Sequence, residues 1–192
     1  MLILRLDQAI QLLNACHNLK ETLAIRYMVL NGLSPMEIAT ARIEHLDPIE
    51  CILFLPRRHW KRNCIANIDP ETVKIQAIYS ADRKKGPLLR SRRTRGHLVK
   101  WALWALVKRV ALRTTIPNRE KVSPLILKRT FAREWLKSGG SVASLQKQFS
   151  HKHLWSTAHY LRFIMDDVRH NHVKFMRRIK HEQKTKSVRL VS

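Results

Sequence analysis

The first third of the chain has the hydrophobic periodicity of amphipathic helices. Residues 7–17 carry apolar side chains at helical spacing, and Asp7 is the expected N-cap. A second apolar helix is predicted over residues 20–31, and Gly32 should end it because glycine tolerates the left-handed backbone of a helix terminus. Ser34, which a proline follows, indicates the cap and first turn of a short third helix.

The middle of the chain changes to the pattern of short strands. Residues 51–55 form a brief apolar run, and residues 64–68 and 73–78 alternate apolar and polar side chains. A strongly basic turn, residues 57–62, separates the first two of these segments. The pattern predicts a small antiparallel sheet of two or three strands with a basic hairpin tip.

Helical periodicity returns in the second half of the chain. The predicted helices lie at residues 96–113, 124–137 and 142–150, and from Ser156 through Tyr160 into the tail. Ser141 and Ser156 are the expected N-caps of the last two. In the first of them, Leu98, Ala105 and Leu112 recur at core spacing. Trp101 and Trp104 are assigned to the same core rather than to a surface that stacks on nucleic-acid bases.

The order of elements predicts a mainly α fold with a small antiparallel β-sheet inserted after the third helix, an α+β class. A length of 192 residues suits one hydrophobic core, which we place in a domain at residues 1–165. Residues 166–192 then form a basic C-terminal helix or tail. The sequence has neither βαβ alternation nor a glycine-rich phosphate loop, which disfavours a nucleotide-dependent enzyme.

The charge narrows the choice of partner. The chain has 37 Lys and Arg residues against 14 Asp and Glu residues, which gives a net charge of +23. This excess favours a polyanionic partner, most commonly nucleic acid, although a ribosomal role and a membrane-surface role are alternatives. The positive charge is spread over loops and helices, and no apolar run is long enough to span a bilayer, so no membrane partner is expected. We expect an intracellular, DNA-associated protein of the cytoplasm or nucleoid.

Cysteine and histidine spacing argues against a disulfide framework and against a metal centre. Cys16, Cys51 and Cys64 are widely spaced and form no CxxC pair, which is typical of reduced thiols. The paired histidines are two residues apart, whereas a helical zinc site needs ligands four residues apart. We therefore expect neither a metal nor any other cofactor.

Four segments match the motifs of one enzyme family in order and spacing. Residues 31–38, NGLSPMEI, resemble a first motif TGLRxxEL, and Lys61 falls where the family has a catalytic lysine between two strands. Residues 123–132, SPLILKRTFA, resemble a second motif TPHxLRHTFA. Residues 145–151, LQKQFSH, with Tyr160 following, resemble a last motif QxxLGH that precedes a tyrosine. The family is that of the tyrosine recombinases, the phage-integrase type.

The resemblance covers about residues 5–165 and implies metal-independent cleavage and rejoining of DNA strands. The family's separate N-terminal DNA-clamping domain is expected to have no counterpart. In the family a tyrosine attacks a DNA phosphate to form a phosphotyrosyl bond, while Arg, Lys and His side chains stabilise charge and transfer protons. Tyr160 maps onto the nucleophile, His151 onto a histidine, Lys61 onto the lysine and Lys128 onto an arginine.

Further basic residues are expected to contact the phosphate backbone of double-stranded DNA. Most of them cluster in two loops, which favours DNA contact over ordinary solvated charges. Arg129, directly after Lys128, should point away from the reacting phosphate. The expected DNA contacts are Arg57, Arg58, Arg62, Arg92, Arg93, Arg95 and Arg129.

Three positions depart from the family pattern and weaken the catalytic set. Ser34 replaces the first-motif arginine, Leu125 replaces the second-motif histidine, and Lys128 keeps a charge without the planar fork of arginine. Loss of one preorganised donor to a reacting oxyanion typically costs roughly 3–4 kcal/mol. Arg42 is a candidate to reach in and replace the first arginine.

Each candidate also has a simpler role open to it. Tyr160 can be an ordinary helix tyrosine, and His151 can interact with the carbonyl groups at a helix end. Lys61 and Lys128 can be phosphate contacts without a role in catalysis. The tail at residues 166–192 either packs on a second protomer, which gives a homo-oligomer on DNA, or binds nucleic acid non-specifically.

Three functions follow from these alternatives. The first, which we favour, is a DNA-binding protein with a recombinase-like fold and lost or strongly reduced catalysis, in an architectural, regulatory or mobile-element-linked role. The second is an active strand-transfer enzyme, a minimal integrase or relaxase-like nicking protein that uses Tyr160. The third is a basic RNA- or ribosome-associated helical protein, which the absence of a small sheet after the third helix would favour.

Overall fold

The computed structural model describes residues 3–55, 64–91, 94, 96–164, 172–173 and 175–179. Up to residue 164, these ranges form eight α-helices and three short strands. The helices are α1 (Leu6–Asn14), α2 (Leu19–Val29), α3 (Pro35–Thr40), α4 (Pro70–Ser80), α5 (Lys100–Leu112), α6 (Pro124–Lys137), α7 (Val142–Gln148) and α8 (Trp155–Ala158). The strands are β1 (Leu46–Asp47), β2 (Ile52–Leu55) and β3 (Cys64–Asn67). The predicted class, mainly α with a small antiparallel sheet, is confirmed.

Helix α2 lies at the centre of the helical packing. It contacts α1, α4, α5 and α6, so its side chains are buried around most of its circumference. Leu23, Ile25 and Met28 are fully buried although they do not share one face of the helix. Burial of one such side chain contributes roughly 1.5–3 kcal/mol relative to exposure. Because α2 is packed on several sides, the position of the segment that follows it is held as well.

The sheet has the order β1-β2-β3, and both of its strand pairs are antiparallel. Leu53 of β2 lies opposite Ala66 of β3, and both side chains are buried against the helices. Phe54 lies opposite Ile65 on the other face, where both are exposed. This alternation is the expected consequence of side chains pointing to opposite faces along a strand.

The prediction of a strand at residues 73–78 is wrong, because this segment lies within helix α4. Asp69 caps the helix by accepting a hydrogen bond from the Thr72 N–H at 2.9 Å, and Pro70 occupies the first turn. Thr72, Gln76 and Ser80 are buried at four-residue spacing, as one helical face requires. The segment is too short for apolar alternation to decide between strand and helix. The third strand of the sheet is β1 instead.

The predicted core face of α5 is also wrong. Trp101, Trp104 and Leu112 are exposed, whereas Leu103 and Val110 are among the buried residues. The helix carries more apolar residues than one face can bury, so periodicity alone allowed two registers. Like the other described helices, α5 is not long and apolar enough to cross a membrane.

Helix caps follow the sequence at two of four predicted positions. Ser34 accepts a hydrogen bond from the Glu37 N–H at 3.3 Å, and Ser141 caps α7 through the Ser144 N–H. Asp7 is not the cap of α1, which begins after Arg5, and Asp7 instead forms an ion pair with that arginine. Ser156 lies inside α8, and a 3-10 turn (His159–Phe163), not a longer helix, carries the tyrosine.

Gly32 allows the segment after α2 to pass close to two aromatic rings. Its φ angle is +70°, in the left-handed region that favours glycine. A Cβ atom at this position would lie 2.6 Å from Phe131 Cδ1 and 2.6 Å from Phe149 Cε1. Glycine is therefore required here both by the backbone and by the packing.

Replacement of Gly32 by alanine should lower the free energy of unfolding by about 2–5 kcal/mol, through backbone strain plus overpacking. Urea denaturation followed by circular dichroism measures this change. Gly139→Ala is the matched control, since Gly139 has a φ of +91° but a Cβ atom there would meet nothing within 4 Å. The control should lose only about 1–3 kcal/mol from backbone strain. Equal losses in both variants would contradict the packing argument.

Candidate functional site

Three of the sequence motifs meet at one place in the fold. Gly32 of the first motif packs against Phe131 of the second and Phe149 of the last. An ion pair also joins the first motif to the second, with Lys128 Nζ 3.8 Å from Glu37 Oε2. Segments that are about 100 residues apart in sequence therefore build one site.

A buried glutamine holds the last motif against the sheet and the first motif. Gln148 accepts a hydrogen bond from the Asn67 N–H at 3.0 Å, and its amide group donates to the Asn67 carbonyl oxygen at 2.9 Å. The same amide donates to the Asn31 carbonyl oxygen at 2.9 Å. Gln148 thus fixes the end of α7 relative to β3 and to the end of α2.

Asn31 extends this polar connection to the start of α4. Its side chain accepts a hydrogen bond from the Asp69 N–H at 2.7 Å and donates to the Asp69 carboxylate at 3.0 Å. Burial alone would raise the pKa of Asp69, but hydrogen bonds from Thr72, Arg26 and Asn31 outweigh burial and hold that pKa below its ordinary value. Asp69 is therefore an ionised anchor beneath the site.

Lys128, the cation of the second motif, is largely buried. Only 13% of the Lys128 side chain and 12% of the Glu37 side chain are exposed. The Lys128 ammonium also lies over the Phe149 ring, 4.2 Å from its centroid, at cation–π distance. The Lys128 ammonium, which was expected to contact a phosphate, is thus already paired with the Glu37 carboxylate and packed against the Phe149 ring.

The other two departures from the family pattern, Ser34 and Leu125, are uncharged side chains. The Ser34 hydroxyl serves as the cap of α3, and Leu125 stands half-exposed in the first turn of α6. Arg42 forms an ion pair with Glu44, with 2.6 Å between Nε and Oε1. Among the described contacts, the guanidinium of Arg42 is therefore committed to a neighbour in sequence.

The turn after α7 positions His151. Ser150 adopts a φ of +50° at the place where the family motif has glycine. The His151 Nδ1 atom lies 2.8 Å from the Thr157 hydroxyl oxygen, and Gln146 donates a hydrogen bond to the His151 carbonyl oxygen. These contacts fix both the ring and the backbone of the histidine, so the loop that leads to Tyr160 is held in one conformation.

Tyr160 lies on the 3-10 turn and is buried in an aromatic cluster. Its ring meets Phe149 edge-on at a centroid distance of 5.4 Å, and Phe149 also lies 5.3 Å from the His151 ring. Burial raises the pKa of the Tyr160 phenol above its usual range, and the positive charges of Arg129 and Arg162 offset this only in part. The phenol is therefore protonated at neutral pH.

The structure brings four of the candidate residues together, Lys128, Arg129, His151 and Tyr160. The positive charge of Arg129 lowers the pKa of the Tyr160 phenol, against the larger effect of burial. The remaining candidates, Arg57, Arg58, Lys61, Arg62, Arg92, Arg93 and Arg95, lie outside the described residues.

Sequence reasoning missed four residues of this site, Glu37, Gln148, Phe149 and Thr157. Glu37 lies inside the first motif, and Gln148 and Phe149 lie inside the last, so the available signal was their position within the motifs. Within the described part of the chain, no group of three or more His, Cys, Asp or Glu side chains is placed to hold a metal ion.

Known proteins share this arrangement of helices around a small sheet. The tyrosine recombinase XerA of Saccharolobus solfataricus is 28% identical over 166 residues, which cover 86% of this chain and 54% of that protein. The chain thus spans about half the length of the curated relative it matches. No protein-family model matches the chain.

Solved structures give the same result for the fold. The crystal structure of XerA recombinase matches with a TM-score of 0.80 and 21% identity, over 91% of this chain and 65% of that one. The catalytic domain of bacteriophage HP1 integrase matches with a TM-score of 0.61 and 19% identity, over 85% and 88%. A Tn1549 transposon integrase in complex with circular intermediate DNA matches at 0.70 and 13%, over 83% and 60%. The chain has the fold of a tyrosine recombinase catalytic domain, and the resemblance carried by its motifs is confirmed.

Replacement of Arg129 by glutamine should raise the pKa of the Tyr160 phenol further, because the positive charge that favours the phenolate is removed. NMR titration of isotope-labelled tyrosine rings measures this pKa, with Tyr160→Phe used to assign the signal. Arg109→Gln, on the exposed surface of α5, is the control and should leave the titration of Tyr160 unchanged. An unchanged titration in Arg129→Gln would show that this arginine does not face the phenol.

Proposed function

We propose that this protein binds double-stranded DNA with a tyrosine-recombinase fold and has lost most or all of its strand-cleavage activity. The observation that carries the proposal is the state of the second-motif cation, since Lys128 is paired with Glu37 and covered by Phe149. An architectural, regulatory or mobile-element-linked role on DNA, inside the cell, is the form of activity that this combination favours.

Binding of DNA is supported by charge and by the similar structures. A net charge of +23 on 192 residues provides the electrostatic attraction that dominates affinity for a phosphate backbone. The Tn1549 transposon integrase, whose catalytic fold this chain shares, is solved with circular intermediate DNA. We extend that partner to this chain and assign the phosphate contacts to the basic loops and to Arg129.

Loss of cleavage follows from the charge that a reacting phosphate needs. A phosphate attacked without a metal must be stabilised by several positioned donors, and two of these are absent at Ser34 and Leu125. Lys128 would first have to leave Glu37. At roughly 3–4 kcal/mol per lost donor, two losses alone slow the reaction by a factor on the order of 10⁴ to 10⁶.

The surroundings of Tyr160 also support a loss of cleavage. Attack by Tyr160 requires its proton to be removed, and burial raises the pKa of that phenol. Leu125 stands where the family has a proton-transferring histidine and cannot accept the proton. His151 is held through its Nδ1 atom by Thr157, so we assign it to support of the turn.

An active enzyme remains the second candidate because one observation favours it. Arg129 places a positive charge near the Tyr160 phenol, and an arginine at that position can hold a phosphate in place of the missing one. In that alternative Tyr160 is the nucleophile, with Lys61, Lys128 and Arg129 as the cations. An RNA- or ribosome-associated protein of unrelated fold is disfavoured, because the small sheet is present between α3 and α5.

A covalent-trapping experiment separates the two candidates. The protein and its Tyr160→Phe variant are incubated with nicked suicide duplexes of randomised sequence and with supercoiled plasmid, then resolved under denaturing conditions. We expect no protein–DNA adduct from either protein. An adduct that disappears in Tyr160→Phe would establish the active enzyme and overturn the proposed loss of cleavage.

Two controls make a negative result informative. Both proteins should bind duplex DNA with an affinity that falls steeply with salt, at a log–log slope of roughly −0.9 per phosphate neutralised. A flat salt response would contradict binding of nucleic acid. A triple variant, Ser34→Arg, Leu125→His and Lys128→Arg, restores the family residues, and an adduct from it would locate the lost activity at these three positions.

We also propose that the C-terminal segment mediates self-association on DNA. Val173, Phe175 and Met176 are exposed apolar side chains in the described part of that segment. Three exposed apolar side chains within four residues favour a protein contact over a purely electrostatic one. Sedimentation velocity should detect a concentration-dependent oligomer that Phe175→Asp dissociates, whereas Arg177→Asp should not. A monomer at every concentration, with and without DNA, would contradict the proposal.

A further inference from the structure

The start of α8 and the residues before it display two aromatic rings to solvent, His153 and Trp155, which together form an aromatic platform. The Trp155 side chain is 74% exposed, although it lies only five residues before a buried tyrosine. The His153 ring lies nearly parallel to the indole, with 16° between the planes and 6.2 Å between the centroids. The two rings thus lie side by side at similar orientation, and most of the indole surface is accessible. Leu154 beside it is also half-exposed.

Hydrogen bonds hold the backbone that carries this platform. Gln146 donates a hydrogen bond to the His151 carbonyl oxygen at 3.0 Å, and the His151 ring is fixed by the Thr157 hydroxyl at 2.8 Å. The Ser156 N–H then donates to the His153 carbonyl oxygen at 3.1 Å, which closes the turn. A flat partner meeting this surface therefore costs little conformational entropy on binding.

The charge around the platform selects the class of that partner. The sequence has no Asp or Glu between Glu134 and Asp166, whereas lysines, arginines and histidines are interspersed through the segment. A positive surface with a displayed aromatic ring fits nucleic acid better than it fits an acid-free copy of itself. Aromatic side chains stack on nucleobases, but only where the face of a base is uncovered.

We propose that His153 and Trp155 form a stacking site for an unpaired nucleobase of the bound DNA, at a strand end, nick or bulge. Within a continuous duplex both faces of every base are covered by neighbours, so the platform discriminates interrupted DNA from perfect duplex. The platform precedes Tyr160 by five residues in sequence, on the helix that leads to the turn carrying the tyrosine. The inference rests on the proposed DNA binding and gives that binding a preferred substrate.

Fluorescence anisotropy with two labelled probes tests this site. One probe is a perfect duplex and the other is the same duplex with one bulged thymidine, and both are titrated at the same salt concentration. The wild-type protein should bind the bulged probe about 5- to 100-fold more tightly, which corresponds to the stacking of one base on an aromatic side chain. Trp155→Ala should abolish this preference and leave affinity for the perfect duplex unchanged, and Trp155→Phe should retain part of it.

Trp101→Ala is the matched control, because Trp101 on α5 is also 74% exposed and lies in another part of the fold. It should keep the wild-type preference for the bulged probe. Circular dichroism verifies that each variant folds. A wild-type protein that binds both probes equally, with the expected salt dependence, would overturn the stacking site and leave the proposed function standing. Loss of affinity for both probes alike in Trp155→Ala, or a changed sedimentation coefficient, would also overturn it. No binding to either probe would refute the proposed function itself.

Discussion

The packing of the segment after α2 against the aromatic rings of Phe131 and Phe149 is the contact on which the rest of the site depends. Gly32 makes this approach possible, since a Cβ atom would lie 2.6 Å from each ring. Gln148 then ties the end of α7 to Asn31 and Asn67 through buried hydrogen bonds. Because buried amides need partners, neither side of this junction can shift alone. Phe149 transmits this constraint to the turn that carries Tyr160, because its ring also packs edge-on against the tyrosine ring.

The same junction explains why a recombinase-like scaffold survives without a recombinase-like set of charges. Apart from the ion pair of Lys128 and Glu37, the contacts that hold the motifs together are made by aromatic rings, backbone groups and a glutamine, and none of them needs the missing arginine or histidine. Ser34 still caps α3 and Leu125 still occupies the first turn of α6. Lys128 finds a partner in Glu37 instead of a phosphate. The three positions that depart from the family pattern therefore still have structural roles in this fold.

The protein combines a large positive charge with exposed aromatic side chains in its described residues. Few acids are present, and several of them are occupied internally, as Glu21 is by Arg113 and Asp69 by Arg26. The lysines and arginines are thereby left in large excess for a polyanionic partner. The exposed Trp155 adds a contact of a different kind. Positive charge attracts a phosphate backbone at any position, whereas an aromatic ring stacks only on a flat partner that meets it.

The sequence by itself determined the fold class, most of the helices, two serine caps and the order of the motifs, because local periodicity and capping chemistry are properties of neighbouring residues. It also identified Ser34, Leu125 and Lys128 as the departures from the family pattern. Only the tertiary structure decided that residues 73–78 are helical and that Trp101 faces solvent, since burial depends on which face a neighbour covers. It alone showed that the charge of Arg129 acts on the Tyr160 phenol and that Lys128 pairs with Glu37, because interactions between segments distant in sequence leave no periodic signal along the chain.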